Sequence, residues 1–314
     1  MPLPNYAFFG GRIVPYSEAK IGVMSHALNY GTAVFGGMRG YWNQEEEQLF
    51  VFRPLEHFRR FLNSAKLLCM EFPYTAEDLN RFLMELLRTE DYHTDCYIRP
   101  LAFYTDEIIG VRLHDLTPEM SMVSVPFGRY VKNEEGAHVT FSSWRRVDDN
   151  MIPPRGKIAG SYVNSAFIKT DAERAGFDEA LVLNQDGHIS EGSAENFYLV
   201  RDGTVFTPPI TDNILEGITR RTVISLLREE LGYEVVERPI DRTELYLADE
   251  AFFSGTGVQI CAITKVDHRP IGAGKMGKVV SELRELYFNV VRGRMPKYRQ
   301  WCAPVYEAER ELAR

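Results

Sequence analysis

Lys157 lies in a short stretch rich in proline and glycine, and the chain downstream of it carries a set of chemically matched groups. Tyr162 follows five residues later. Three further segments supply a carboxylate, the start of a helix and a glycine-rich turn: Ser190-Glu191-Gly192, Leu215-Glu216-Gly217-Ile218-Thr219-Arg220 and Ser254-Gly255-Thr256-Gly257. Most lysines are solvated surface charges, so this lysine is informative only together with these segments. If these segments form one site, the fold has to bring together residues that lie up to 100 positions apart, from 157 to 257.

Together these groups are the parts that hold pyridoxal phosphate and tune its chemistry. A lysine amine forms a Schiff base with the aldehyde of this cofactor, and the backbone N–H groups at the start of a helix bind phosphate. A carboxylate supplied by one of these segments can keep the pyridine nitrogen protonated, which makes the ring an electron sink. We therefore expect pyridoxal phosphate as the cofactor.

The charge and composition of the chain argue against several other classes of protein. Its 314 residues are enough for two domains. A formal net charge of -8 argues against nucleic acid or an anionic membrane as the main partner. The four cysteines form no pair with metal-ligand spacing, so we expect no metal site and reduced thiols in a cytoplasmic protein. We see neither a signal peptide nor an apolar stretch approaching the roughly 18 residues that span a bilayer.

Hydrophobic spacing and turn residues predict an α+β protein. Helices are predicted over 54–70, 76–89, 160–175, 217–231 and 276–291. Strands are predicted over 6–15 with a turn at Gly10-Gly11, and over 30–41, 49–52, 97–103, 120–125, 138–144, 179–184, 188–190, 196–201, 204–207, 233–238 and 250–254. Residues 126–137 combine glycines, a proline and mixed charges, so we predict a domain over 1–125, a linker over 126–137 and a domain over 138–314.

Further motifs occur in a definite order along the chain: Met24-Ser25-His26-Ala27-Leu28-Asn29-Tyr30-Gly31, Glu56-His57-Phe58-Arg59-Arg60, Tyr97-Ile98-Arg99-Pro100-Leu101 and Leu245-Tyr246-Leu247-Ala248-Asp249-Glu250. With the segments from Lys157 onward, they make the chain resemble the pyridoxal phosphate enzymes of fold type IV, and most closely the branched-chain aminotransferases. The resemblance covers nearly the whole chain. It implies a smaller N-terminal α/β sandwich domain and a larger C-terminal domain with a β-barrel-like core, with the cofactor between the domains.

The resemblance also implies an activity. It is that of an aminotransferase, which would move the amino group of branched-chain or other apolar L-amino acids to 2-oxoglutarate by ping-pong half-reactions. The partners would be these small molecules and a second copy of the chain, in a homodimer or a higher oligomer built from dimers.

The resemblance assigns roles around the cofactor. Lys157 would form the Schiff base and shuttle the proton between the substrate Cα and the cofactor C4′, Tyr162 would bind the cofactor O3′, and Glu191 would face the pyridine nitrogen. The phosphate would be held by four residues: Arg60, the N–H groups of Ile218 and Thr219, and Thr256. An arginine fork suits a phosphate dianion. Leu215 would pack on the ring, and Glu195 is a candidate for a second carboxylate behind Glu191.

The resemblance also assigns roles around the substrate. The apolar pocket would come from the glycine- and aromatic-rich stretch through Tyr30, Phe35 and Arg39. Tyr97 and the backbone at Thr256-Gly257 would bind the α-carboxylate, and Arg99 would bind the distal carboxylate of glutamate. The loop over 105–115, which includes Val111, would reach the site of the partner subunit.

Two glycines depart from the usual motifs of the family. Gly36 stands where a glutamate is usual, and Gly257 stands where an alanine is usual. Glycine at position 36 removes a carboxylate and frees the backbone, so we expect Arg39 to be mobile and amines without a carboxylate to be accepted slowly. We also expect Gly36→Glu to narrow the substrate range toward branched-chain amino acids.

Three other interpretations remain open on the sequence alone. The fold also serves (R)-amine and D-amino acid transaminases, although the Ile98-Arg99-Pro100 strand does not match the Thr-Arg-Gly motif of the latter. It serves aminodeoxychorismate lyase as well, against which Arg99 favours transamination. A protein that keeps the fold without chemistry is disfavoured by the joint presence of Lys157, Tyr162 and Glu191.

Overall fold

A computed structural model describes residues 2–128 and 136–306. The chain forms two compact units, the first made of Met1–Gly128 with Asn289–Arg314 and the second of Arg129–Phe288. Most of the predicted linker over 126–137 lies outside the described residues. No helix in the described part of the chain is long and apolar enough to cross a membrane.

The described residues form six α-helices and seventeen strands. The helices are α1 His26–Tyr30, α2 Pro54–Leu67, α3 Ala76–Glu90, α4 Tyr162–Arg174, α5 Ile218–Glu229 and α6 Lys278–Val291. The strands are β1 Tyr6–Phe9, β2 Arg12–Pro15, β3 Ala33–Phe35, β4 Met38–Asn43, β5 Gln48–Phe52, β6 Cys96–Tyr104, β7 Pro118–Pro126, β8 Ala137–Arg145, β9 Glu179–Leu183, β10 Ile189–Gly192, β11 Asn196–Arg201, β12 Thr204–Thr207, β13 Val235–Glu237, β14 Glu250–Gly255, β15 Gln259–Val266, β16 Arg269–Pro270 and β17 Cys302–Pro304.

The first unit is built on an eight-stranded sheet in the order β17-β5-β4-β6-β7-β1-β2, with β3 also paired to β6. Helix α3 packs on β1 and β7, and Phe82 of the helix stacks on Phe8 of β1 with ring centroids 4.7 Å apart. The helix begins at a capping box in which Thr75 and Asp78 bond each other's backbone N–H groups. Its buried leucines recur every three or four residues, as expected for one face of a helix.

The second unit is built on a nine-stranded sheet in the order β10-β9-β8-β15-β14-β11-β12-β13, with β16 at the side of β15. The strands at the two ends of this order, β10 and β13, do not pair with each other, so the sheet is open and forms a curled half-barrel. Strand β9 is buried on both faces: Leu181 points into the main core, and Ala180 and Val182 pack against Ile168 of α4. This sheet carries the segments singled out in the sequence.

The predicted helices are confirmed, with ends that differ by a few residues. The single strand predicted over 30–41 is wrong, because the chain forms α1 up to Tyr30 and then two strands interrupted at Gly36-Gly37. Strand β15 was not predicted at all, although it pairs with both β8 and β14. Seven of its eight residues are buried, so it lacks the alternation of polar and apolar residues that marks a half-exposed strand.

The C-terminal segment also departs from the predicted organisation, which placed all of 138–314 in one domain. From Asn289 onward the chain belongs to the first unit. Strand β17 pairs with β5, and Arg292 bonds Asp95 at 2.9 Å and the carbonyl of Trp42 at 2.6 Å. These contacts join segments far apart in sequence, which no local pattern predicts.

Candidate active site

Lys157 lies between a turn and the helix that carries its partner. The turn closes through the Gly156 N–H, which donates to the Pro153 carbonyl at 3.1 Å, and Ile158 is buried behind the lysine. The Lys157 Nζ donates a hydrogen bond to the hydroxyl of Tyr162, the first residue of α4, and lies 4.9 Å from the centre of its ring. The sequence spacing of five residues therefore brings an amine and a phenol into direct contact.

Glu191 lies on β10, where the pairing with β9 is irregular between Ile189 and Glu191. Only 3% of Glu191 is exposed. Its Oε1 is 2.7 Å from Arg146 Nη2, and its Oε2 accepts hydrogen bonds from Asn196 Nδ2 at 3.0 Å and the Leu215 N–H at 3.1 Å. Each oxygen is thus held by a donor, as a buried carboxylate requires.

Burial raises the pKa of Glu191, and the positive charge of Arg146 is the strongest opposing influence. The Leu215 N–H and then the Lys157 amine also lower this pKa. The charge of the Lys157 amine thus favours the ionised form of the Glu191 carboxylate. The arrangement can therefore hold an anion inside the protein close to a reactive amine.

Arg146 and Asn196 are functional residues that the sequence analysis missed. Arg146 directly follows β8, its side chain is 11% exposed, and its Nε donates to the Asn213 carbonyl at 3.1 Å. Asn196 begins β11, and its Nδ2 also donates to the Leu215 carbonyl at 3.0 Å. Asn196 could have been found from its place five residues after Glu191, whereas Arg146 had no local signal.

The start of α5 has the properties of an anion site. Gly217 is the N-cap of the helix, no side chain in the described residues caps it, and Ile218 and Thr219 form the first turn. A Cβ at Gly217 would lie 2.2 Å from Asn196 Oδ1, so the close approach of the two segments requires glycine. The N–H groups of a first helical turn have no partner within the helix and favour a phosphate.

The second predicted phosphate segment lies in the turn between β14 and β15. In the sheet, Asn196 pairs with Ser254 across β11 and β14, two residues before Thr256. Because Asn196 also contacts Leu215 and Gly217, this residue joins the two predicted phosphate segments.

The groups of the second unit fit pyridoxal phosphate. They provide an amine bonded to a phenol, a buried carboxylate with its own cation, and an uncapped helix start lined by a necessary glycine. Among residues 2–128 and 136–306, no group of three or more histidine, cysteine, aspartate or glutamate side chains is arranged to hold a metal.

Of the residues predicted for the substrate, Gly257 lies in the second unit, in the turn between β14 and β15. The others lie on the first unit, and three of them form a stack. The Arg99 guanidinium lies 4.7 Å from the ring centre of Phe35 and 5.3 Å from that of Tyr97, and its Nη2 donates to the Tyr97 hydroxyl at 3.1 Å. A Cβ at Gly37 would lie 2.1 Å from that hydroxyl oxygen, so glycine makes room for the phenol.

The expected mobility of Arg39 is wrong. Only 3% of the residue is exposed, its Nη2 donates to the Gly128 carbonyl at 2.8 Å, and its guanidinium lies 4.9 Å from the Phe127 ring centre. A Cβ at Gly36 would lie 2.6 Å from Cγ of Pro100. Gly36→Glu would therefore disturb packing as well as add a charge, and it no longer isolates an effect on specificity.

Tyr30 holds the loop over 105–115 together with a buried histidine. The Gly110 N–H donates to the Tyr30 hydroxyl at 3.1 Å, and His26 Nε2 lies 2.9 Å from the Gly110 carbonyl oxygen. Beyond this contact of Tyr30 and His26 with Gly110, Val111 is 86% exposed.

Arg60, which was predicted to bind the phosphate, lies half-buried on α2. Its carbonyl accepts a hydrogen bond from the Ser64 hydroxyl at 2.9 Å.

Comparison with known proteins finds one family model and relatives with one kind of name, that of aminotransferases. The family model described as amino-transferase class IV matches residues 33–266. The probable branched-chain-amino-acid aminotransferase of Aquifex aeolicus is 48% identical over 303 residues, which cover 96% of this chain and 97% of the relative.

Two solved structures have the same fold. The branched-chain amino acid aminotransferase of Thermobaculum terrenum in its PLP form has a TM-score of 0.93 and 39% identity, covering 98% of this chain and 100% of that chain. The T.th. branched-chain amino acid aminotransferase in complex with N-(5'-phosphopyridoxyl)-L-glutamate has a TM-score of 0.91 and 41% identity, covering 96% and 99%.

Replacing Arg146 by methionine should destabilise the protein by about 3–5 kcal/mol near pH 8, because the buried Glu191 carboxylate loses its cation. Without Arg146 the pKa of Glu191 rises further, so the folded state binds a proton more tightly than the unfolded state. The destabilisation should consequently be largest at high pH and shrink as the pH falls. Urea unfolding of the cofactor-free protein at several pH values measures both effects.

The double variant Arg146→Met with Glu191→Gln should recover most of the loss, since the carboxylate is then absent. Arg155→Met is the control, because Arg155 is 45% exposed in its ion pair with Asp149 and should cost no more than about 1 kcal/mol. Equal losses in the two single variants would contradict a special role for Arg146.

Proposed function

The chain belongs to the class IV aminotransferase family, and from this membership we propose that it transfers amino groups between branched-chain L-amino acids and 2-oxoglutarate with pyridoxal phosphate. The observation that carries the proposal is the contact of Lys157 with Tyr162 in the unit that also holds the buried ion pair of Glu191 with Arg146. The D-amino acid, (R)-amine and lyase interpretations are not favoured, because the compared relative and structures are all branched-chain aminotransferases.

When bound, pyridoxal phosphate supplies an aldehyde that accepts the amino group and a ring that accepts electrons. Lys157 would hold the aldehyde carbon and then move the proton at the substrate Cα, since its Nζ is the amine bonded to the Tyr162 hydroxyl. Tyr162 orients that amine through its hydroxyl. Glu191, paired with Arg146, would hold the proton of the pyridine nitrogen, and the N–H groups of Ile218 and Thr219 would bind the phosphate.

The substrate roles rest on the aromatic and cationic side chains of the first unit. Phe35 and Tyr97 offer apolar surface to an aliphatic side chain, and Arg99 offers a guanidinium that carries a hydrogen bond and stacks on both rings. A guanidinium binds a carboxylate in two-point fashion, which suits glutamate. The solved structure of the T.th. enzyme with a phosphopyridoxyl-glutamate adduct supports glutamate as the donor that restores the amino form of the cofactor.

We also propose a homodimer in the cytoplasm. The first unit exposes large apolar side chains on and near the loop over 105–115, among them Val23, Leu28, Ile109 and Val111, of which the last two are 86% exposed. Clustered apolar exposure of this kind marks a surface that another protein covers. The cysteines Cys69, Cys96, Cys261 and Cys302 are all free thiols, which suits a reducing compartment.

Borohydride reduction of the yellow protein followed by peptide mapping should place the pyridoxyl group on Lys157. Lys157→Ala should keep the fold and lose about 10²–10⁴-fold or more in kcat, because one amine supplies both the covalent attachment and the proton transfer. Lys265→Ala, which changes an exposed lysine of the same unit, should leave the rate unchanged. Label on any lysine other than Lys157 would overturn the assignment.

A panel of amino donors with 2-oxoglutarate should give kcat/KM values for L-leucine and L-valine at least about 100-fold above that for an (R)-aryl ethylamine. The reason is that each hydrogen bond to the substrate carboxylate, which the amine lacks, contributes about 1.5–3 kcal/mol, so two such bonds contribute at least about 3 kcal/mol, or roughly 100-fold. D-Alanine is the control for stereochemistry. A higher value for the amine or for D-alanine would refute the proposed substrate class.

Light scattering should give the protein at least twice the 36.0 kDa mass of one chain. Ile109→Glu with Val111→Glu should lower this mass toward that of a single chain, since buried charges would oppose association. Val163→Glu is the control, because Val163 is also exposed but lies on the second unit. A wild-type protein with the mass of one chain would refute the homodimer.

A further inference from the structure

A second buried carboxyl group, that of Glu195, lies next to the segment that carries Glu191. Glu195 is 3% exposed, and its Oε2 accepts the Ala194 N–H at 3.0 Å. The Gly192 N–H donates to the Glu195 carbonyl at 2.7 Å, and a Cβ at Gly192 would lie 2.8 Å from Glu195 Oε2. The carboxyl group is therefore folded against the turn that follows Glu191.

A third carboxylate with its own cation lies behind this turn. Glu179 is 2% exposed on β9, its Oε2 is 2.9 Å from Lys169 Nζ, and its Oε1 accepts the Ala180 N–H at 2.8 Å. Burial is the largest single influence on Lys169 and disfavours its charge. The charge and hydrogen bond of Glu179, with the charges of Glu195 and Glu173, together outweigh burial and raise the pKa of Lys169. Strand β9 pairs directly with β10, which places Glu179 on the strand next to that of Glu191.

The buried cluster thus contains three carboxyl groups and two cations. Arg146 is bonded to Glu191, and Lys169 is bonded to Glu179. Glu195 has no cation bonded to it in the described residues, and it feels Lys169 only at longer range. Of the other cations that act on Glu191, Arg220 has Glu237 as its own partner at 2.7 Å and Lys157 is bonded to Tyr162.

Burial raises the pKa of Glu195 to about 8, with the negative charge of Glu179 as the next cause and that of Glu191 as a smaller one. The Ala194 N–H and Lys169 act in the opposite direction. Glu195 is 3% exposed and has no cation bonded to it in the described residues, so the geometry favours its neutral form when no cofactor is bound. The two ion pairs then leave the cluster neutral.

We propose that Glu195 is a positioning residue that gives up its proton when the pyridine nitrogen of the cofactor becomes protonated against Glu191, so that the buried cluster is neutral in both states. The proposal rests on the proposed function, because it requires pyridoxal phosphate at this site. One O–H bond at Glu195 breaks and one N–H bond on the ring forms, with no change in electrons. Before the transfer, the cations Arg146 and Lys169 face the carboxylates of Glu191 and Glu179. Afterwards, the protonated ring nitrogen is a third cation and ionised Glu195 is a third carboxylate.

The physical reason is the cost of an unpaired charge away from water. Arg146 already neutralises Glu191, so a protonated ring nitrogen beside this pair adds a positive charge that the pair cannot offset. Ionised Glu195 supplies the missing negative charge. The ring nitrogen should therefore hold its proton less tightly when Glu195 cannot ionise.

Infrared difference spectroscopy of the full chain, before and after addition of pyridoxal phosphate to the cofactor-free protein, tests the proposal directly. The wild type should lose one band of a neutral carboxyl group when the cofactor binds. Glu195→Gln should lack this loss. Glu173→Gln is the matched control on α4, because Glu173 is 62% exposed near Lys169, and this variant should keep the loss.

Nitrogen NMR of bound cofactor labelled at the ring nitrogen gives a second readout. The midpoint for loss of the ring proton should fall by at least about one pH unit, or tenfold in proton affinity, in Glu195→Gln. Glu195→Asp, which can still ionise, should restore it in part. A structural role alone would change stability but not this midpoint.

The outcomes separate the two proposals. If the cofactor attaches to Lys157 but the wild type loses no carboxyl band, or Glu195→Gln loses the same band, the role of Glu195 is refuted while the proposed function stands. If Glu195→Gln does not fold, the wild-type spectrum alone still decides. If the protein takes up no cofactor on Lys157, the proposed function fails and the role of Glu195 fails with it.

Discussion

The ion pair between Arg146 and Glu191 is the interaction around which the second unit is arranged. Its 2.7 Å contact is buried, and a buried carboxylate is tolerated only when every oxygen is satisfied. The donors come from three places in the chain: the end of β8, the start of β11 and the segment before α5. Satisfying one carboxylate therefore also fixes the segment that leads into the start of α5.

The local features of the site could be predicted from sequence. Lys157 and Tyr162 are close because they are close in the chain, and Gly217 begins a helix because glycine and the following apolar spacing mark one. The family, its cofactor and its class of reaction also followed from the order of these motifs, and the comparisons confirm them. What these features share is that each depends on a few neighbouring residues.

What could not be predicted depends on pairing across long distances or on the packing of one side chain. Arg146 is 45 positions from Glu191, β15 has no alternation to mark it, and the C-terminal strand β17 finds β5 only in three dimensions. Arg39 was expected to be mobile because a neighbouring carboxylate is missing, yet the Gly128 carbonyl and the Phe127 ring hold it. The absence of a glutamate at position 36 therefore did not predict the partners of Arg39, because the fold supplies them from residues about 90 positions away.

The division of the first unit between two distant segments of the chain has a consequence for synthesis. Strand β5, four of whose five residues are buried, pairs on one side with β4 and on the other with β17. A ribosome delivers β17 only after the entire second unit. Until then β5 is an apolar sheet edge, the kind of edge that pairs with other chains. The exposed edge of β5 is therefore covered only once β17 has been synthesised.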